Sequence, residues 1–262
     1  MEMIMANVLL EKKNHIGYVT LNRPEVMNCF DYATLCQLGG VVERIHLDRD
    51  IRVVIFTGAG DKAFSAGADL KERKTLNEME VRRNVKKIRD VFDAVANLPQ
   101  PTIAAVNGYA FGGGFELMLA CDFRIAVKGA VMGLTEVSWA IIPGAGGTQR
   151  LPRLIGEARA KELILTARKI TAEQAYEYGL LTKLVEKANL MPSCEALAHE
   201  MLQNGPIALQ QAKYAIQQGM NVDLQTGLAI EAKAYELTIP TKDRLEALVA
   251  FSEKRKPQFT GE

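Results

Sequence analysis

Two glutamates stand where an acid has little reason to be. Glu116 follows three consecutive glycines in "GYAFGGGFELMLACDFRIA", residues 108–126, and opens an otherwise apolar helix. Glu136 lies in "MGLTEVSWAIIPGAGG", flanked by apolar residues and leading into a glycine-rich loop, Pro143 to Gly147. Acids in apolar stretches are hard to explain as solvated surface. Two carboxylates in different environments can hold different protonation states, one serving as base and the other as acid. Two acids at helix ends would show the same pattern, and the residues alone leave both readings open.

Two glycine-bearing turns accompany the acids, "SAGADL" and "FGGGFE", each after a strand-like run. Glycine lets backbone approach a ligand closely and leaves N–H groups unobstructed. In "FGGGFE" those groups lie at a helix N-terminus, where the macrodipole favours negative charge. If the turns converge, two amides cradle an oxygen on which charge develops, each worth roughly 3 kcal/mol in comparable sites. Simple turn geometry, with an acid complementing a dipole, fits the spacing equally well.

Other motifs carry less. "GAGDKA", Gly58 to Ala63, matches a dinucleotide fingerprint, but "FSAGADL" stands where a helix must begin at once, so a plain turn is expected. "AFSAG" has alanine where a nucleophile elbow needs its first glycine. His15, His46 and His199 show no ligand spacing, and no metal site is expected. The four cysteines are scattered without a C-x-x-C pair, which suits a reducing cytosol.

The net charge of +1 gives no general pull towards nucleic acid or anionic membrane. The start, "MEMIMANVLLEKK", has too short an apolar run for a signal peptide and lacks the pattern of an organellar leader. Ile103 to Cys121, the longest weakly polar run, is broken by Asn107, four glycines and Glu116, which argues against a membrane span. A cytoplasmic protein is expected.

The elements that must position these groups alternate. "HIGYVTLNRPE", "IRVVIFTG", "PTIAAVNG" and "FRIAV" read as strands, the second and third as buried on both faces. "NCFDYATLCQLGGVVERIHLD" has helical spacing, and a polar helix is expected at about Leu76 to Asn97. The class is α/β. From about Ala196 only helical segments remain, the last with Thr241 as N-cap and Asp243 in its first turn. A boundary near residue 195 is expected.

"AFSAGADLKE", "AAVNGYAFGGGFELMLACD" and "PGAGGTQRLPR" resemble the signatures of the enoyl-CoA hydratase (crotonase) family, and "LNRPE" and "FSEKRKPQF" extend the resemblance along nearly the whole chain. The resemblance implies a spiral of ββα units over residues 1–195 and a helical region, residues 196–262, that builds trimers, commonly paired into hexamers. It implies that Glu116 and Glu136 are the catalytic acids and that Ala68 and Gly113 give the two backbone N–H donors for a thioester oxygen. Ala68, Asp69, Leu70 and Lys71 then line the coenzyme A site. The implied reaction adds water syn across the C2=C3 bond of a 2-enoyl-CoA, as in fatty acid metabolism, with coenzyme A entering as part of the substrate and no separate cofactor. "MGLTEVSWAIIPGAGGTQRLPRLIG" and the segment from Gly219 to Phe251 are similar to the AU-binding methylglutaconyl-CoA hydratases, which act in leucine degradation and in some members bind RNA. The RNA-binding helix of those members is lysine-rich. Residues 29–50 here contain no lysine, and Arg44 and Arg49 face Asp31, Glu43, Asp48 and Asp50, so RNA binding is not expected.

Overall fold

The computed structural model of the chain describes residues 6–262. The leader reading of "MEMIMANVLLEKK" falls in part on residues 1–5, outside the described residues. Two compact units emerge, one of residues up to Leu98 with Thr102–Glu195, the other of Pro99–Pro101 with Ala196–Glu262.

The first unit contains the strands β1 (Val8–Lys13), β2 (Ile16–Leu21), β3 (Val53–Gly58), β4 (Ala63–Ser65), β5 (Thr102–Val106), β6 (Tyr109–Phe111), β7 (Phe123–Val127), β8 (Val131–Gly133), β9 (Ile170–Thr171) and β10 (Lys183–Val185). They form two sheets, of order β1-β2-β3-β5-β7-β10 and β4-β6-β8-β9. The hairpin β1–β2 is antiparallel, and every later neighbour in the larger sheet is parallel. All of β5 is buried, and β3 is buried at every position except Thr57. Strands covered on both faces need such apolar, β-branched runs.

After β2 comes α1 (Tyr32–Leu47), started by Asp31, whose side chain accepts from Thr34 N. The chain then repeats one pattern of long strand, short strand and helix. β3 and β4 lead to α2 (Leu70–Arg73) and α3 (Glu78–Ala96), β5 and β6 to α4 (Gly113–Ala120), and β7 and β8 to α5 (Gly147–Ile155). This is the expected spiral of ββα units. The helices α6 (Glu157–Leu165), α7 (Ala172–Glu177) and α8 (Leu190–Leu202) follow.

The segment Gly58 to Ala63 is a turn, with β4 beginning at Ala63 where a dinucleotide fold would need a helix. Two asparagines hold it. Buried Asn28 donates to Ala59 O and Ala63 O at 3.0 and 2.9 Å, and Asn107 donates to Gly58 O and Gly60 O at 2.9 and 2.8 Å. Gly58 N and Ala59 N are taken by Asn107 Oδ1 and Leu21 O. The first two amides of the fingerprint are therefore not free for a phosphate.

The second unit contains α9 (Pro206–Gly219), α10 (Leu224–Glu236) and α11 (Lys242–Ser252). Thr241 caps α11 as expected, accepting from Arg244 N. Asp243 does more than complement the dipole. It is buried and accepts from Thr260 N and Gly261 N at 2.7 and 2.9 Å, tying the tail to the helix. Leu224, Tyr235 and Phe251 remain exposed on these helices. Among the described residues no helix is long and apolar enough to cross a membrane.

Candidate active site

The two glycine turns meet. Helix α4 starts directly against the end of β4, so closely that a Cβ on Gly114 would stand 2.0 Å from Ser65 O. A Cβ on Gly67 would lie 3.2 Å from Gly113 N. Phe30 N–H donates to Gly67 O and Asp69 N–H to Phe30 O, forming a one-residue parallel bridge at Ala68. Successive peptide groups of an extended segment point opposite ways, so Ala68 N–H faces away from Phe30. Gly113 is the first residue of α4, and its N–H has no intrahelical partner. Among the described residues neither amide donates a hydrogen bond within the chain. Both residues line a cleft of about 580 Å³.

Glu116 lies in the first turn of α4 and is 3% exposed. Its Oε1 accepts from Ala145 N at 2.7 Å, in the loop leading into α5, and from Gly147 N at 2.9 Å, at the first residue of that helix. Among the described residues Oε2 accepts none, and Glu116 lines the cleft. Burial raises the carboxyl above its ordinary value; the two amides and the charges of Arg150 and Arg89 oppose that rise.

Glu136 begins a short 3-10 turn, Glu136–Trp139, at the same cleft. Its carboxyl rests against Gly112, where a Cβ would stand 3.2 Å from Oε1 and where φ is +50°, a conformation that favours glycine. Oε2 is buried without a hydrogen-bond partner. Burial, with the charge of Glu116 adding to it, pushes this carboxyl up to about 7. An orphaned, buried oxygen suits the neutral acid, whereas a carboxyl on two amides suits the carboxylate. The two carboxyls thus meet unequal surroundings, as a base and an acid acting together require.

Of the segment after the first turn, Ala68, Asp69 and Leu70 line the cleft, and exposed Lys71 is not among its lining residues. The Asp69 carboxylate is committed elsewhere. It caps α2 through Lys71 N and Glu72 N and pairs with Arg23 at 3.1 Å. The three histidines are exposed, as expected for surface residues. The sequence reading missed the Ala145 and Gly147 amides, because backbone donors leave no side-chain signature; the glycines of "PGAGG" were the available hint. It also passed over Trp139 and Ile142, exposed apolar residues on the cleft wall.

A model of the enoyl-CoA hydratase/isomerase family matches residues 11–262. The chain is 54% identical over 250 residues to YngF of Bacillus subtilis, provisionally named an enoyl-CoA hydratase/isomerase, covering 95% of this chain and 96% of the relative. It is 48% identical over 258 residues to the human mitochondrial methylglutaconyl-CoA hydratase, covering 97% and 76%. The crystal structure of an enoyl-CoA hydratase from Bacillus anthracis matches with a TM-score of 0.96 at 53% identity, covering 98% of this chain and 100% of that one. Likeness of this extent, in sequence and backbone together, has one meaning: the chain belongs to the enoyl-CoA hydratase/isomerase family.

Proposed function

We propose that the protein is an enoyl-CoA hydratase, adding water syn across the C2=C3 bond of a 2-enoyl-CoA to give a 3-hydroxyacyl-CoA. The observation that carries this is the unequal pair of acids. Glu116 is held by two amides, and Glu136 beside it has its carboxyl pushed up to about 7. Glu116 holds a water with Oε2 and takes one of its protons as the oxygen bonds to C3. Glu136 gives its proton to C2 from the same face. The negative charge that develops on the thioester oxygen is met by the N–H groups of Ala68 and Gly113. Return of the proton from Glu116 to Glu136 resets the pair, and the reverse reaction exchanges the roles.

The acyl group is the narrower question. Likeness to the human methylglutaconyl-CoA hydratase favours a branched acyl group carrying a distal carboxylate. The exposed Leu224, Tyr235 and Phe251 support assembly through the C-terminal helices into a homotrimer or hexamer.

A panel of enoyl-CoA thioesters, followed by loss of the conjugated enone absorbance, tests the reading. Crotonyl-CoA should be hydrated, because the residues described surround the thioester and double bond common to all candidates. Much faster turnover of methylglutaconyl-CoA would select the narrower substrate. Glu116→Gln and Glu136→Gln should each lower kcat about 100- to 10,000-fold with thioester binding largely kept. The double variant should fall well short of the combined losses. Folded protein that hydrates no enoyl thioester would refute the proposal.

A further inference from the structure

The loop that holds Glu116 is itself held from behind. Arg150, in the first turn of α5, donates from Nη1 to Ala145 O at 3.0 Å and from Nη2 to Asp93 Oδ1 at 2.6 Å. Asp93 is on α3, one turn beyond Arg89, whose Nε–H donates to Gly144 O at 3.1 Å. One helix thus anchors two successive carbonyls of the loop, one directly and one through Arg150. The peptide joining Gly144 and Ala145 has its C=O on Arg89 and its N–H on Glu116 Oε1. A cationic donor on that carbonyl polarises the peptide and strengthens its N–H. Arg150 packs close on the loop as well, since a Cβ on Gly146 would stand 2.1 Å from Nη1. Arg150 does not line the cleft.

We infer that Arg150, seated on Asp93, is a positioning residue for hydration. It fixes the 144–147 loop so that the Ala145 and Gly147 amides hold Glu116 Oε1 and leave Oε2 for the water. Arg89 works beside it through Gly144. The inference rests on Glu116 being the group that holds the water. The charged groups facing Glu116 are Arg89 from α3, Arg150 from α5 and Glu136 from the 3-10 turn, with Asp93 behind Arg150.

The test is a cycle of kinetics on crotonyl-CoA, with Arg150→Met made in the wild type and in Glu116→Gln. In the wild type, kcat should fall about 100-fold, as expected when a reacting group is misplaced by a fraction of its proper geometry. KM should change little. The acid limb of kcat/KM should move to higher pH, because losing a cation makes Glu116 harder to ionise. In Glu116→Gln the same substitution should change kcat little, because the group it serves is gone. Asp93→Asn, at a position about half exposed, should give a smaller loss with the same dependence on Glu116 and covers the case where Arg150→Met folds poorly. Equal losses in both backgrounds, or none in the wild type while Glu116→Gln is crippled, would overturn the inference and leave the hydratase reading standing. Full activity in Glu116→Gln itself would overturn both.

Discussion

Replacing Glu136 by glutamine removes the group whose protonation the fold perturbs most clearly in the cleft. A rise from the ordinary 4.5 to about 7 corresponds to roughly 3 kcal/mol held against the ionised form. Contact of part of the group with solvent in the cleft reduces this to about 2 kcal/mol. The sign follows from linkage. Below pH 4.5 the carboxyl is neutral in both folded and unfolded chains and costs nothing. As pH rises from 4.5 towards 7 the unfolded chain ionises first, so stability is lost through this interval and levels off above it. Glutamine cannot ionise and escapes the loss. Urea denaturation of wild type and Glu136→Gln at pH 5, 6, 7 and 8, at one protein concentration, measures the difference. The variant should gain on the wild type by about 2 kcal/mol between pH 5 and pH 8. Parallel stability curves across that range would show that Glu136 ionises normally, and the assignment of Glu136 as the proton donor would lose its physical basis.

Gly114→Ala should cost about 3 kcal/mol in urea denaturation and remove most activity, because its Cβ would meet the backbone oxygen of Ser65 and push apart the two turns; near-normal stability would mean that the approach of α4 to β4 is looser than described. AU-rich RNA should not be retarded in a gel-shift titration at physiological salt, because residues 29–50 carry a balance of minus two and no lysine. Tight binding at that salt would refute this, and its loss on charge reversal of Lys71 and Lys74, two exposed lysines in and just after α2, would locate the RNA site there.

The long elements were legible because their periodicity has room to show. β3 and β5 read as strands from β-branched runs, and the helix expected at about Leu76 to Asn97 spans Glu78–Ala96. The short strands were not legible. β4, β6 and β8 are three residues each, too short for a period of two to declare itself. Yet these strands bring the glycine turns together, so their convergence stood only as a condition in the sequence. Asp69 illustrates a second limit. Its type and place fitted a ligand-lining segment, while Leu70, Lys71 and Glu72 after it also fit the start of a helix. In the fold its carboxylate serves as cap and ion-pair partner.

The deepest part of the site was invisible for a different reason. Both acids sit among apolar neighbours in sequence, and nothing nearby says which is to be the base. The distinction comes from what each meets after folding. Glu116 extends from the first turn of α4 beneath the loop before α5, where two peptide N–H groups have no helical partner and need an acceptor. Glu136 is turned into the cleft by a 3-10 segment that offers its Oε2 no donor, and it feels the charge of Glu116 besides. Burial raises both carboxyls, but at Glu116 two amides and two cations oppose the rise, whereas at Glu136 the charge of Glu116 adds to it. The donors in turn depend on Arg89 and Arg150, which in sequence look like ordinary surface cations. The asymmetry that acid–base chemistry requires therefore depends in part on one loop and its anchors, and substitutions there should disturb the reaction even though Arg150 lies outside the cleft wall.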